Sequence, residues 1–195
     1  MDQGGTFTDV VRVDESGNVT IEKVLSDAAE LATLAEDATD VRRGTTAATN
    51  ALLERTGKPT LLITNRGFGD LVEIGDGRRP ELFTLQIKRP QPLTSAVLEI
   101  DGRLDANGNE VEPLHIDRVA LKAHHTAGIR SVAIVLIHGP TCPVHEQTIA
   151  QLCTAIGFET VRTGHRIAPS KGFLRRIHTT VADASLSPLL PTASG

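Results

Sequence analysis

Polar and apolar positions alternate from Thr6 to Val13 and again from Val19 to Val24, around the turn residues Asp14-Glu15-Ser16-Gly17-Asn18. Period-two alternation across a Gly/Asn-rich turn predicts a β-hairpin. Asp27 with Glu30 three residues later has the form of a capping box and opens a short Ala-rich helix to about Glu36. Ala47 to Arg55 is a strong helix former behind Thr45-Thr46, with Gly57 expected at the position past its C-terminus. Thr60 to Thr64 reads as a strand, Phe68 to Ile74 as a short helix or turn, and Gly75 to Pro92 as an ordered loop rich in Gly, Pro and Arg. Val97 to Asp101 and Glu110-Val111 flank Asn107-Gly108, a second hairpin.

The last third has the clearest periodicity. Ile116, Val119, Ala120, Ala123 and Ala127 recur at helical spacing and Gly128 closes the run; Ile149, Leu152 and Ile156 repeat the pattern before Gly157. Ser131 to Ile137 and Phe158 to Thr163 are strands, and Leu174, Ile177, Val181 and Ala184 mark a final helix stopped by Pro188. Strands alternating with helices predict parallel αβ units, and a hairpin ahead of them makes the sheet mixed. The expected domain spans 1–190, with 191–195 a disordered tail.

Composition narrows the class. The 195 residues carry a net charge of -4 and no Lys/Arg block, which argues against nucleic acid as a partner. With no Trp or Tyr and only five Phe, the core must be aliphatic. Cys142 and Cys153 have neither disulfide-framework nor metal spacing. No apolar run approaches the roughly 18 residues of a membrane span. Met-Asp-Gln-Gly-Gly at the start lacks the form of a signal peptide, so a cytoplasmic location with no membrane partner is expected.

Three segments carry candidate chemistry. In Asp2-Gln3-Gly4-Gly5-Thr6-Phe7-Thr8-Asp9, glycines let backbone N–H groups approach a phosphate, Thr6 and Thr8 can donate to its oxygens, and Asp2 or Asp9 can hold Mg²⁺. An ordinary hairpin turn accounts for the same composition. In Arg42-Arg43-Gly44-Thr45-Thr46-Ala47-Ala48-Thr49-Asn50, small and hydroxyl residues at a helix start build an anion site; a Thr cap with two solvated arginines is the plain alternative. Gly75-Asp76-Gly77-Arg78-Arg79-Pro80 offers arginines suited to carboxylate or phosphate, or a solvated loop. His124-His125 reads as solvated, His145-Glu146 as structural near a helix start, and His138 with Cys142 and His145 has no familiar metal spacing.

Taken in order, these blocks resemble the N-terminal region of the hydantoinase A/5-oxoprolinase family. Asp2 to Asp9 is similar to its D-x-G-G-T-F-T-D, Gly44 to Arg55 (GTTAATNALLER) to its second block, and Leu62 to Asp70 (LITNRGFGD) to its third. His145-Glu146 resembles its later H-E, and Arg176, Thr179-Thr180 and Ala184 to Pro188 its final helix. The resemblance implies an α/β fold, half of an actin-like ATPase (RNase H-like) architecture with a mixed β-sheet flanked by helices. It implies ATP and Mg²⁺ as cofactors, a small cyclic amide as substrate, and activation of the lactam oxygen by phosphorylation. The implied nucleotide-site residues are Asp2, Gly4, Gly5, Thr6, Thr8, Asp9, Gly44, Thr45, Thr46, Asn50 and Arg79, with Asp2 and Asp9 on the metal.

The departures are specific. Met1 directly precedes Asp2, so the first strand is expected to be N-terminally truncated, and the segment from Lys23 to Arg43 is short for the family. Arg43 stands for the family's His, Asp76-Gly77 for Arg-Gln, Arg175 for Glu, Asp183 for Asn and Ser185 for Tyr. Two functions are therefore weighed. One is the N-terminal component of an ATP-dependent cyclic-amide hydrolase completed by a second subunit. The other is a non-catalytic truncated paralogue or interaction module. A sugar-kinase-like phosphotransferase shares the Asp-Gly-Gly-Thr logic but not the GTTAATNALLER block.

Overall fold

A computed structural model describes residues 1–4, 6–27, 31, 33–34, 38–42, 44–77, 91–169 and 172–190. Two compact units emerge, Met1–Thr56 together with Leu189 and Leu190, and Gly57–Pro188.

The first unit is built on strands β1 (Asp2–Gln3), β2 (Phe7–Val13), β3 (Val19–Leu25) and β4 (Gly44–Thr45), in the order β3-β2-β1-β4. Strands β2 and β3 form the predicted hairpin, with Val13 opposite Val19 and Phe7 opposite Leu25. β1 is two residues long, yet it is paired on both sides: antiparallel to β2 and parallel to β4. Helix α1 (Ala47–Glu54) follows β4. Its left-handed terminal residue is Arg55, φ 59°, rather than Gly57. Gly57 has a different task, since a Cβ there would lie 2.1 Å from Ser185 Oγ. Of the helix expected over Asp27 to Glu36, Leu31, Thr33 and Leu34 are helical; residues 28–30, 32 and 35–37 lie outside the described residues.

The second unit contains β5 (Thr60–Asn65), β6 (Ala96–Leu104), β7 (Glu110–His115), β8 (Ser131–Ile134) and β9 (Thr160–Thr163), in the order β7-β6-β5-β8-β9. All neighbours are parallel except the β6–β7 hairpin. Its helices are α2 (Leu71–Ile74), α3 (Arg118–Thr126), α4 (Val144–Ile156), α5 (Gly164–Ile167) and α6 (Phe173–Leu186). The periodicity of the last third is thus matched, with α5 the short element that carries no pattern of its own. The strands form two mixed sheets, one in each unit, and β5 is the central strand of the larger, hydrogen-bonded to β6 and β8.

Central strands buried on both faces are continuous apolar runs, and here successive residues supply opposite cores. Leu61, Ile63, Val132, Ile134 and Leu136 pack with Leu121 of α3 and with Ile149 and Cys153 of α4. Leu62, Ala133 and Val135 pack instead with Ile177, Val181 and Ala184 of α6. Burial of each large aliphatic side chain contributes roughly 1.5–3 kcal/mol. Residues Leu62 to Asp70 and their neighbours act as a clasp at the end of β5. Asn65 donates to Gly102 O (2.6 Å) and accepts from Ile137 N (2.8 Å), while Glu99 accepts from Gly67 N and Gly69 N.

The two hairpins close with the same five-residue turn. Asp14 Oδ1 accepts from the Ser16 and Asn18 amides, and Asn18 Nδ2 donates to Asp14 Oδ2. Asp105 does the same with Asn107 and Asn109. The Asn18 side-chain and backbone N–H groups hold the Asp14 carboxyl below its ordinary 3.8, and Asn109 does likewise for Asp105. A carboxyl depressed on folding stabilises the turn above the unfolded value and loses that contribution as pH falls through the folded one. Carbon-13 titration should therefore show both carboxyls ionising below 3.8, and Asn18→Ala should return Asp14 toward 3.8 while leaving Asp105 unmoved.

Candidate functional site

The parallel pairing of β1 with β4 sets Asp2 beside Gly44 and Gln3 beside Thr45. Parallel strands end at the same edge of a sheet, so the segments that leave β1 and β4 meet there. After β1 comes a tight turn in which Gly4 N donates to Phe7 O (2.9 Å). A Cβ on Gly4 would lie 2.9 Å from that same oxygen, so the turn closes only around glycine. After β4 comes the start of α1, where Thr45 Oγ1 accepts from Ala47 N (3.1 Å) and Thr46 N donates to Gln3 O (3.3 Å). Thr45, not Thr46, is therefore the hydroxyl that caps the helix. First-turn amides of a helix have no partner within it and favour an anion nearby. Gly44, Thr45 and Thr46 are exposed and Asn50 is half-buried one turn further on.

Cross-strand register brings the carboxylates together. Asp2 stands opposite Asp9, and Asp9 opposite Lys23, so one row across the sheet reads Lys23–Asp9–Asp2–Gly44. Partners directly opposite share a face, and two like charges side by side repel. Lys23 Nζ lies 3.2 Å from Asp9 Oδ1, which offsets one of the two charges. A Cβ at Gly44 would lie 3.4 Å from Asp2 Oδ1, an ordinary contact distance, so Gly44 and the Asp2 carboxylate are close neighbours across the β1–β4 pair. Paired carboxylates next to a helix start fit a divalent cation carrying phosphate.

Thr8 is placed differently from Thr6. It is fully buried, and its hydroxyl lies 3.0 Å from Ser26 Oγ, which donates to Gly4 O (3.1 Å). With Ser26 donating onward, Thr8 is the donor to Ser26, and the relay braces the glycine turn from beneath. Thr6 is exposed at the turn itself. Gly5, Arg43, Arg78 and Arg79 lie outside the described residues.

A second cluster lies in the larger unit. Glu146, fully buried at the start of α4, accepts from Leu136 N (2.9 Å), His165 N (2.9 Å) and His165 Nδ1 (2.7 Å). Arg176, also buried, donates to Leu136 O (2.7 Å). Burial pushes the Arg176 guanidinium below its ordinary value, against the opposing pull of Glu146. The sequence singles out Glu146 and Arg176 but not His165. The usable signal was its position just past β9, because polar residues beyond the carboxyl ends of parallel strands are where α/β proteins place sites.

The remaining histidines and cysteines do not converge: among the described residues no three His, Cys, Asp or Glu side chains are grouped to hold a metal. His145 turns to Glu110 (3.2 Å). His125 contacts Gly157 O and packs edge-on against Phe158, so it is a packing residue and not merely solvated. Burial pushes the Cys153 thiol up to about 12. No helix among the described residues is long and apolar enough to cross a membrane.

Comparison with known proteins adds an independent line. The sequence profile of the hydantoinase/oxoprolinase N-terminal region matches residues 1–157. A 5-oxoprolinase of Saccharomyces cerevisiae is 35% identical over 179 residues, covering 77% of this chain and 14% of its own length. An ATP-dependent caprolactamase structure from Pseudomonas jessenii matches 97% of the chain at 29% identity and a TM-score of 0.71, over 32% of its own chain. A nucleotide-free acetone carboxylase structure matches 96% at 22% identity and a TM-score of 0.81, over 31% of its own chain. The chain thus spans less than a third of the length of each of these proteins.

The relay beneath the turn can be tested by stability alone. Thr8→Val removes one hydrogen bond and should cost about 1 kcal/mol, whereas Ser26→Ala removes two and should cost more, read by urea denaturation.

Proposed function

The chain belongs to the hydantoinase/oxoprolinase N-terminal family, and from that premise we propose that it is the N-terminal component of an ATP-dependent cyclic-amide hydrolase, of 5-oxoprolinase or hydantoinase A type, incomplete until a second polypeptide supplies the rest of the nucleotide cleft. The observation that carries this reading is the β1–β4 pairing, which sets a glycine turn and a helix start side by side at one sheet edge. The Thr6 hydroxyl, at the turn that Gly4 closes, and the first-turn amides of α1 beyond Ala47 hold phosphate oxygens. Gly44 and Thr45 border the same edge, and Asn50 adds a polar side chain one turn along α1. Asp2 and Asp9 hold Mg²⁺, directly or through water, while Thr8 keeps the turn in shape. When bound, the Mg²⁺-nucleotide supplies the phosphoryl group that activates the ring amide toward water. This chain's residues contribute position and charge balance, and electrostatic stabilisation of that kind dominates phosphoryl chemistry.

The need for a second polypeptide has its own support. On the face of the β2–β3 hairpin that carries Asp9, the side chains of Phe7, Val11, Val13, Val19, Ile21 and Leu25 are all exposed. An apolar surface around site residues is what a covering partner would bury.

The test is ATP hydrolysis dependent on 5-oxoproline, hydantoin or caprolactam, with and without a candidate partner subunit, alongside calorimetry of Mg²⁺-ATP binding. Turnover is expected only with the partner. Asp2→Asn should weaken Mg²⁺-ATP binding by about tenfold, the loss of one charge-assisted contact. Absence of nucleotide binding both with and without the partner would overturn the proposal and favour a non-catalytic paralogue.

A further inference from the structure

The Glu146–His165 pair borders a cleft that the nucleotide reading does not use. The cleft measures about 650 Å³ and lies beside the edge strand β9, between α4, α5 and α6. Its walls include His165 and Arg166 of α5, Arg162 of β9, Gln147 and Gln151 of α4, and Asp183 of α6. A volume of this size suits a small-molecule ligand.

Structural duty explains only part of this arrangement. Glu146 ties the end of β8 to the start of α5 through the Leu136 and His165 backbone amides, for which any residue at 165 would serve. The side-chain contact is additional. A carboxylate oxygen only accepts, so Nδ1 of His165 is its donor and Nε2 is the nitrogen that faces the cleft; when that nitrogen also carries a proton, the ring is a cation whose Nε2–H donates. No protein partner for Nε2 is found among the described residues, and the ring is 12% exposed in the cleft wall. A buried acid that holds one ring nitrogen, and balances the charge of the ring when the far nitrogen is protonated, is an arrangement by which proteins orient a working imidazole. The glycine at 139 fits the same reading: a Cβ there would lie 2.3 Å from Glu146 Oε1, so the backbone makes room for the carboxylate.

The rest of the lining decides the ligand class. Donors outnumber acceptors. Arg162 and Arg166 offer guanidinium nitrogens, and Gln147 and Gln151 offer amide N–H groups. The Asp183 carboxylate is engaged at 2.6 Å by Arg162 Nε. The buried Thr163 hydroxyl in the same wall has no hydrogen-bond partner among the described residues. Guanidinium groups favour carboxylate and phosphate oxygens. We propose that this cleft is a second binding site, for a small oxyanion (a phosphate or carboxylate group), with His165, oriented by Glu146, and Arg166 as its principal contacts.

The experiment uses the full chain, nitrogen-15-labelled at histidine, titrated separately with inorganic phosphate and with acetate. Saturable movement of the His165 Nε2 resonance is expected with at least one of them. Movement with phosphate alone assigns a phosphate ligand, with acetate alone a carboxylate, and with both the shared oxyanion chemistry. His165→Asn keeps an amide donor near the Nδ1 position but loses the distal nitrogen. By calorimetry it should bind about tenfold more weakly than the unaltered chain, the loss of one charge-assisted contact. Arg166 is exposed, so Arg166→Ala keeps the fold and should weaken binding to a similar degree even if the His165 variant proves unstable. No movement with either ion would overturn the proposal, as would unchanged affinity in Arg166→Ala. Because the cleft residues are distinct from Asp2, Gly4 and Gly44, failure here leaves Mg²⁺-ATP binding untouched, and failure there leaves this titration interpretable.

Discussion

A carboxylate removed from water must be given hydrogen bonds by the protein, and in the larger unit that requirement falls on Glu146. Its two oxygens collect three N–H groups from the end of β8 and the start of α5. Leaving such a group unsatisfied costs more than a neutral hydrogen bond contributes, so both segments are fixed by one side chain. Arg176 reaches the same place from α6 and takes the Leu136 carbonyl. The helices that cover opposite faces of the sheet are thus joined at its end by polar contacts, while the aliphatic layers only hold them against it. Positions that look unremarkable in the sequence, Gly139 and Leu136 among them, are set by this one acid.

The smaller unit works by register. Its central strand has only two residues, and each is paired on both sides. Few hydrogen bonds are involved, yet they decide which loops meet. A slip of one residue would turn Asp2 and Asp9 to the opposite face and bring Thr8 out of the interior. The Thr8–Ser26–Gly4 relay opposes such a slip, because its geometry exists in one register only.

Much of this was legible in the chain. The first hairpin announced itself through alternation around a Gly/Asn turn, the second through Asn107-Gly108 between two short runs, and the αβ units through helical spacing closed by glycine. The tight turn at Gly4 was legible because its glycine answers a steric requirement, a backbone oxygen 2.9 Å from where a Cβ would stand. What stayed hidden depended on distant partners. Thr8 and Thr6 look alike in sequence, and only the strand's alternation separates the buried hydroxyl from the exposed one. Gly57 looks like a helix terminator until Ser185, far along the chain, appears against it. Ser185 and Asp183, which depart from the family pattern, find local uses in bonds to Lys58 O and Arg162. His165 carries no local signature, since its meaning comes from a glutamate on another element.

The exposed hairpin ribbon has a consequence for solubility. Strand β3 is the edge of its sheet, and edge strands with apolar faces invite further strands to add. Along this ribbon the apolar pairs Phe7/Leu25, Val11/Ile21 and Val13/Val19 are interrupted once, by Asp9 and Lys23. Charges set within such a run act as gatekeepers against stacking. Asp9 therefore guards the uncovered chain against aggregation as well as lining the candidate site. Its replacement by a neutral residue would make most of the ribbon continuous, so precipitation and a damaged site would trace to the same carboxylate.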